Sequence, residues 1–207
     1  MEVDGRNERK ESSRNSILAA AWQLIDDKGV DGFSMRELAS VAGVSVATLY
    51  NIFESREAIV DACFKKALED LRPRYDSLNE TEDLGALCLA LAKAADILCE
   101  SVSGSMYLKL THNASAAGSM SEHRATERVV PELEAALLRG ELSLDVDIDE
   151  LRSVIEAVFF STVRLEAFGA ISAEERHRRI ISGMRLVLLA GATELGRSSL
   201  IAATANL

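Results

Sequence analysis

The chain has 207 residues, of which 48% are hydrophobic and 27% charged, with only two prolines. This composition is typical of a globular protein and excludes collagen-like and disordered chains. Asp and Glu outnumber Lys and Arg by 33 to 23, so the net charge is -10. That charge argues against nucleic-acid binding, because clustered basic residues normally supply the affinity for phosphate.

Cysteine usage and hydropathy point to a reducing cytoplasm without a membrane partner. The three cysteines, Cys63, Cys88 and Cys99, lie in apolar helical patterns, which favours neither a disulfide framework nor a zinc site. No stretch approaches the ~18 uncharged apolar residues of a membrane-spanning helix. The first residues also lack the apolar run of a signal peptide.

The sequence predicts an all-α fold. Apolar residues recur at three- and four-residue spacing along most of the chain, and alternating strand patterns do not occur. The polar segment 1–13 predicts a mobile arm. A first helix is predicted from Arg14 to Lys28, where Gly29 favours a stop. Its apolar stripe consists of Ile17, Ala21, Leu24 and Ile25.

Three helices are predicted next, each opened by a serine whose hydroxyl can accept a hydrogen bond from a first-turn N–H group. Glu37 can complete a capping box with the first serine, and Gly43 permits a tight turn between the first two helices. The third helix is longer and is predicted to bend or end at Pro73. Short capped helices joined by tight turns are typical of a helix-turn-helix. The three serines are Ser34, Ser45 and Ser55.

The remainder of the chain predicts a larger helical unit that follows a polar hinge at residues 77–83. Thr81, followed by two acidic residues, favours the start of an apolar helix. Pro131 is expected to kink a later helix. The last two helices are apolar on more than one stripe, so they must be covered on several sides. These helices are predicted over residues 84–102, 121–139, 148–168 and 173–196.

A particular set of residue types recurs across residues 13–61. Its members are Ile17–Ala21, Gly29, Ser34–Ala39, Ala42–Ser45, Thr48–Tyr50, Phe53 and Ser55–Glu57. In order and spacing this set resembles the N-terminal domain of the TetR family of bacterial transcriptional regulators. The resemblance implies a helix-turn-helix domain at 14–60 and a helical effector-binding and dimerisation domain at 61–207. It also implies a homodimer that joins through a four-helix bundle and binds a near-palindromic double-stranded DNA operator and a small-molecule effector.

The resemblance further implies which residues meet DNA. A recognition helix at 45–52 would lie in the major groove, and Asn51 would contact a base or a phosphate. Ser34 and Arg36 would open the supporting helix near the DNA backbone. Arg56 would stand beside N–H groups at a helix start, which is a ready anion site. The base-edge residues would be Ser45, Val46 and Ala47, and the phosphate-binding residues Thr48 and Tyr50.

The sequence departs from the family pattern in its charge. Residues 38–53 carry no charged side chain, and Val46 and Ile52 are apolar where the family often has a lysine and an aromatic or histidine. Readout of guanine by Arg or Lys from this helix is therefore excluded. Discrimination between DNA sequences must come from apolar contacts with thymine methyls, from Asn51 and from DNA shape. Residues 1–56 hold nine acidic and seven basic residues, so we expect modest non-specific affinity and a shallow salt dependence.

Large apolar residues at helical spacing in the C-terminal part fit either a core or an effector pocket. Tyr107, Thr162, Arg164 and Glu166 are candidate polar anchors, because a polar side chain in an apolar helix needs a partner. The predicted effector pocket consists of Met106, Tyr107, Leu110, Phe159, Thr162, Val163 and Glu166. The predicted dimer interface consists of Val154, Val158, Ile180, Met184, Val187 and Leu188.

No motif predicts a catalytic residue, a metal or a cofactor. Acidic residues in 145–156 match part of a calcium loop, but Glu150 stands where the sharp turn needs glycine. His112, His123 and His177 are scattered, and no local catalytic or phosphate-binding signature is present. The resemblance to the TetR family implies a sequence-specific regulator, by family habit a repressor, that is released from DNA by a small, largely apolar effector. The acidic balance leaves open an all-α carrier protein without specific DNA binding.

Overall fold

The computed structural model describes residues 2–78, 81–112 and 129–203, with side chains for 11–78, 81–108 and 129–203. Within these ranges the secondary structure is helical, apart from one isolated antiparallel bridge between Leu142 and Ala192, and the all-α prediction is confirmed. The helices are α1 (Glu2–Lys28), α2 (Met35–Ala42), α3 (Val46–Ile52), α4 (Arg56–Asp76), α5 (Leu84–Ser101), α6 (Gly104–His112), α7 (Val129–Leu138), α8 (Ile148–Ala167), α9 (Ala173–Leu189) and α10 (Glu194–Ala203).

The described chain divides into two compact units. The N-terminal unit comprises residues 2–69 together with 109–112, and the second unit comprises residues 70–108 and 129–203. The division reflects packing alone, so the roles assigned to residues 14–60 and 61–207 stay predictions.

The core of the N-terminal unit forms where α2 packs against both α1 and α3. Leu38 and Leu49 are completely buried there, as the helical spacing predicts. Gly43 ends α2 in the left-handed conformation with φ of 68°, and the next N–H group, that of Val44, donates to the Ala39 carbonyl at 3.0 Å. This tight turn sets the direction of α3.

Two helices of the N-terminal region extend further than predicted. Helix α1 begins at Glu2, so the prediction that the helix starts at Arg14 is wrong. Segment 1–13 lacks an apolar stripe, but it has no proline and is rich in residues with high helix propensity. Helix α4 continues through Pro73 to Asp76. Since Pro73 lies in the last turns, it removes one hydrogen bond without ending the helix.

Helix α5 is the central element of the second unit, with α8, α9 and α10 all packed against it. Most of its side chains are buried, as its apolar composition predicts. Asp83 caps α5 by accepting a hydrogen bond from the Ala86 N–H at 2.7 Å. Thr81, the residue predicted to favour this helix start, instead donates to Glu132 at 2.5 Å. No helix of the described residues is long and apolar enough to cross a membrane.

The predicted helix 173–196 is two helices, α9 and α10. The Ser143 N–H donates to the Gly191 carbonyl at 2.9 Å, and the Thr193 N–H donates to the Glu141 carbonyl at 2.9 Å. These long-range bonds satisfy backbone groups that a continuous helix would pair internally, and so they permit the break.

The predicted helix 121–139 is described only from Val129 onward, as α7, and the rest of it lies outside the described residues. Pro131 is the third residue of α7. Helix α7 ends at Leu138, and Gly140, two residues further on, has a positive φ of 76°.

Candidate functional site

The supporting helix α2 has the cap that the sequence predicts. The Ser34 hydroxyl accepts a hydrogen bond from the Glu37 N–H at 3.2 Å. The Glu37 carboxylate is itself hydrogen-bonded to the Lys28 ammonium. That bond, together with a weaker one from the Ser34 backbone, lowers the pKa of Glu37. The capping box therefore also ties α2 to the end of α1.

Helix α3 presents a polar but uncharged surface. The Ser45 hydroxyl accepts a hydrogen bond from the Thr48 N–H at 3.0 Å and lies 2.8 Å from the Thr48 hydroxyl. Two of the hydroxyls predicted to meet DNA are thus bonded to each other in the free protein. Ala47, Tyr50 and Asn51 are exposed and share one helix face through their spacing.

The cations flanking α3 differ in their partners. The Arg56 guanidinium lies 3.1 Å from the Asp31 carboxylate and over the ring of Phe33, 5.9 Å from its centroid. Arg36 is exposed and makes no ion pair among the described side chains. Of the predicted DNA contacts, the exposed ones are Ser34, Arg36, Ser45, Ala47, Tyr50 and Asn51, and the half-buried ones are Val46, Thr48 and Arg56.

The second unit contains a cavity of about 170 Å³ between α5, α6 and α8. Helices α6 and α8 approach closely beside it, since a Cβ added to Gly104 would lie 3.0 Å from the Ala167 Cα. The lining residues are Leu98, Cys99, Val102, Gly104, Tyr107, Val163, Glu166 and Ala167. Most of these residues are apolar, and Cys99, Tyr107 and Glu166 add polar groups, a mixture that is usual for ligand sites.

An ion-pair network centred on the buried Arg176 includes Glu166 of the cavity wall. Arg176 on α9 is only 4% exposed. Its Nη1 lies 2.5 Å from Glu166 Oε2, and its Nη2 lies 2.5 Å from Asp96 Oδ1. The second Asp96 oxygen lies 2.9 Å from His177 Nδ1. These contacts hold the Glu166 carboxylate in one place at the cavity wall.

The Tyr107 and Cys99 side chains complete the polar part of the cavity. The Tyr107 hydroxyl donates a long hydrogen bond, 3.4 Å, to the Phe160 carbonyl, and burial raises the pKa of Tyr107. Burial likewise raises the pKa of the Cys99 thiol to about 12. Both groups are therefore uncharged at neutral pH.

Comparisons with known proteins identify the chain. The family model of the tetR family of bacterial regulatory proteins matches residues 17–63. The chain is 25% identical to the DNA-binding transcriptional repressor TetR of Mycobacteroides abscessus over 185 residues, which cover 87% of this chain and 96% of that protein. It is 32% identical to the transcriptional repressor KstR2 of Rhodococcus jostii over 92 residues, 42% of this chain and 45% of that protein. The predicted resemblance to the TetR family is confirmed.

The likeness extends to the fold of the whole chain. The crystal structure of RolR in complex with resorcinol superposes with a TM-score of 0.71 and covers 97% of each chain at 17% identity. This TetR-family protein is a DNA-binding transcriptional regulator, as its relatives are. Regulators of the family bind DNA and small-molecule effectors and are dimeric.

Some of the residues predicted to bind the effector line the cavity, and others do not. Tyr107, Val163 and Glu166 line the cavity. Met106, Phe159 and Thr162 are buried but do not line it, and the Thr162 hydroxyl is satisfied by the Val158 carbonyl at 2.7 Å. The Leu110 side chain lies outside the described residues. Sequence reasoning did not include the lining residues Leu98, Cys99, Val102, Gly104 and Ala167.

The residues of the predicted dimer interface also differ in their burial. Ile180, Met184 and Leu188 are completely buried within the single chain, on α9, which packs against α5. They leave no surface for a second subunit, so their assignment to the interface is corrected to the core. The same helical stripe that predicts an interface is here the stripe that covers α5. Val154 is exposed, and Val158 and Val187 are half-buried.

The acidic segment before α8 caps the first turn of that helix. Asp147 caps α8 by accepting hydrogen bonds from the Asp149 and Glu150 N–H groups, and Asp145 is bonded to the Ser143 hydroxyl. Among the described residues no group of three or more His, Cys, Asp or Glu side chains is arranged to hold a metal ion. His123 lies outside the described residues.

Proposed function

We propose that this TetR-family protein is a cytoplasmic, homodimeric repressor that binds a near-palindromic operator and is released by a small, largely apolar effector. The observation that carries the proposal is the presence in one chain of a capped, exposed α3 face and an effector-sized cavity lined mainly by apolar groups. The cavity would equally suit a carrier protein, so the capped, exposed α3 face is the feature that favours a regulator.

In the proposed complex the two α3 helices of a dimer enter successive major grooves about 34–36 Å apart. Because α3 has no charged side chain, specificity rests on contacts of Ala47 with thymine methyls, on Asn51 and on DNA shape. Tyr50 and Arg36, both exposed, supply contacts to the phosphate backbone.

Release is proposed to occur by a population shift. The effector favours a dimer geometry whose recognition helices no longer fit successive grooves. It can do so only by binding that geometry more tightly than the DNA-bound one. The same DNA affinity with and without every bound effector would contradict this mechanism.

The proposal is tested by selecting duplexes from a random library with the purified protein at moderate salt and sequencing the bound fraction. We expect an enriched near-palindrome. Tyr50→Phe should lose the enrichment, because it removes one hydroxyl from the exposed face of α3. The matched variant Tyr107→Phe removes a hydroxyl in the second unit and should retain it. No enrichment down to low salt would favour the carrier protein instead.

A further inference from the structure

We propose, building on the effector-released regulator above, that the cavity selects uncharged molecules of about one ring in size that carry a hydrogen-bond donor, and that it discriminates against anions. The volume of about 170 Å³ is close to that of an engineered apolar cavity of about 150 Å³ that accepts one benzene molecule. Leu98, Val102, Val163 and Ala167 supply the apolar wall for such a ring.

The donor requirement follows from Glu166. An ionised carboxylate only accepts hydrogen bonds, and its two oxygens offer about four acceptor positions. Arg176, which does not line the cavity, donates a hydrogen bond to one of these oxygens, Oε2. Since Glu166 lines the cavity, an O–H or N–H group of a ligand finds a charged acceptor there. Hydrogen bonds to charged groups are stronger than those between neutral groups.

The discrimination against anions follows from the charges around the cavity. Arg176 already faces two carboxylates, Glu166 and Asp96, each at 2.5 Å. A ligand carboxylate would be a third negative group against one guanidinium, in a site that is partly shielded from water. None of the eight lining residues that the structure describes is basic.

Within the part of the chain whose side chains are described, the other nearby groups do not supply a cation to the cavity. Arg164 is exposed and stacks on the Phe168 ring, 5.5 Å from its centroid, and does not line the cavity. Tyr107 and Cys99 are neutral, because burial raises the pKa of each. Among the lining residues that the structure describes, Glu166 is therefore the only one that carries a charge, and its carboxylate favours a donor over an anion.

Calorimetric titration of the full-length protein with three probes of similar size tests the proposal without any variant. Phenol carries a ring and a donor, anisole carries the ring without a donor, and benzoate carries the ring and a negative charge. We expect phenol to bind about tenfold tighter than either of the others, the effect of one hydrogen bond to a charged group. Benzoate or anisole binding as tightly as phenol, or no binding of phenol, would overturn the proposal.

A variant then tests whether Glu166 causes the preference for phenol over benzoate. Glu166→Gln keeps the size of the side chain but removes its charge, so the phenol-to-benzoate ratio should fall about tenfold. Glu156→Gln makes the same change elsewhere on α8, where Glu156 pairs with Arg152, and should leave the ratio unchanged. An unchanged ratio in a folded Glu166→Gln protein would contradict the role of Glu166.

The response of operator binding separates this proposal from the repressor mechanism. Phenol that binds without weakening operator binding would support the ligand class and overturn release through this cavity. Benzoate that binds more tightly than phenol and releases the operator would overturn the ligand class and leave the repressor mechanism intact. Phenol that binds most tightly and releases the operator supports both.

Discussion

In the free protein the Arg56 guanidinium is occupied by Asp31, at 3.1 Å. A DNA phosphate would have to compete with this carboxylate for the same cation. Asp31 is exposed and Arg56 is half-buried, and ion pairs at the surface contribute about 0–1 kcal/mol. We therefore expect Asp31→Asn to strengthen operator binding about threefold, with little loss of stability. The measurement is the dissociation constant for the operator over a series of salt concentrations.

Asp26→Asn is the matched control for this change, because Asp26 is an exposed acid of α1 without an ion pair among the described side chains. It alters the net charge equally but leaves Arg56 bound to Asp31. If both variants strengthen DNA binding to the same extent, the effect is one of net charge, and Asp31 does not compete with phosphate.

At the scale of elements, the turn between α2 and α3 depends on one backbone conformation. Gly43 has φ of 68°, and an added Cβ would meet no atom within 4 Å. Gly43→Ala should therefore cost only the strain of the left-handed conformation, about 1 kcal/mol of the free energy of unfolding. Gly43→Asn should cost less, since asparagine tolerates this region. Urea denaturation of the three proteins measures both values, and equal losses for Ala and Asn would contradict this explanation.

The helices also show which parts of the structure could be predicted from the sequence. Ser34, Ser45 and Ser55 each cap a helix through an N–H group three residues ahead, so the helix-turn-helix is encoded locally. The cavity is not. Its polar wall depends on Arg176 meeting residues 10 and 80 positions away. Periodicity shows that a helical residue is buried but not whether it faces a core or a cavity, so Met106 and Val163 look alike in the sequence.

At the scale of the molecule, the net charge of -10 is a poor guide to DNA binding, because it sums over the whole chain. Residues 1–56 carry nine acidic and seven basic residues, so their share of the excess is only -2. Charges further than a Debye length of about 8 Å from a phosphate are largely screened at physiological salt. Acidic residues that lie further than this from the operator therefore weaken DNA binding less than the net charge suggests, and the cations nearest α3 matter most.

The second prediction at this scale concerns the dimer. After Ile180, Met184 and Leu188 are assigned to the core, α8 and α9 still expose apolar side chains, among them Val154 at 43% and Leu186 at 64%. Exposed apolar surface of this kind marks interaction sites when it is contiguous. We expect Leu186→Arg to produce a monomer, because the arginine would lose its hydration in the interface. Operator affinity should fall about 100-fold, since the two half-sites would no longer act together.

Leu144→Arg provides the control for this dimer prediction. Leu144 is 92% exposed, yet it lies between α7 and α8 and not on either interface helix. The same substitution there should leave the mass in sedimentation velocity and the operator affinity unchanged. A Leu186→Arg protein that stays dimeric would move the interface away from this part of α9. A monomer that still binds the operator at full affinity would instead show that dimerisation is not what brings two recognition helices to the DNA.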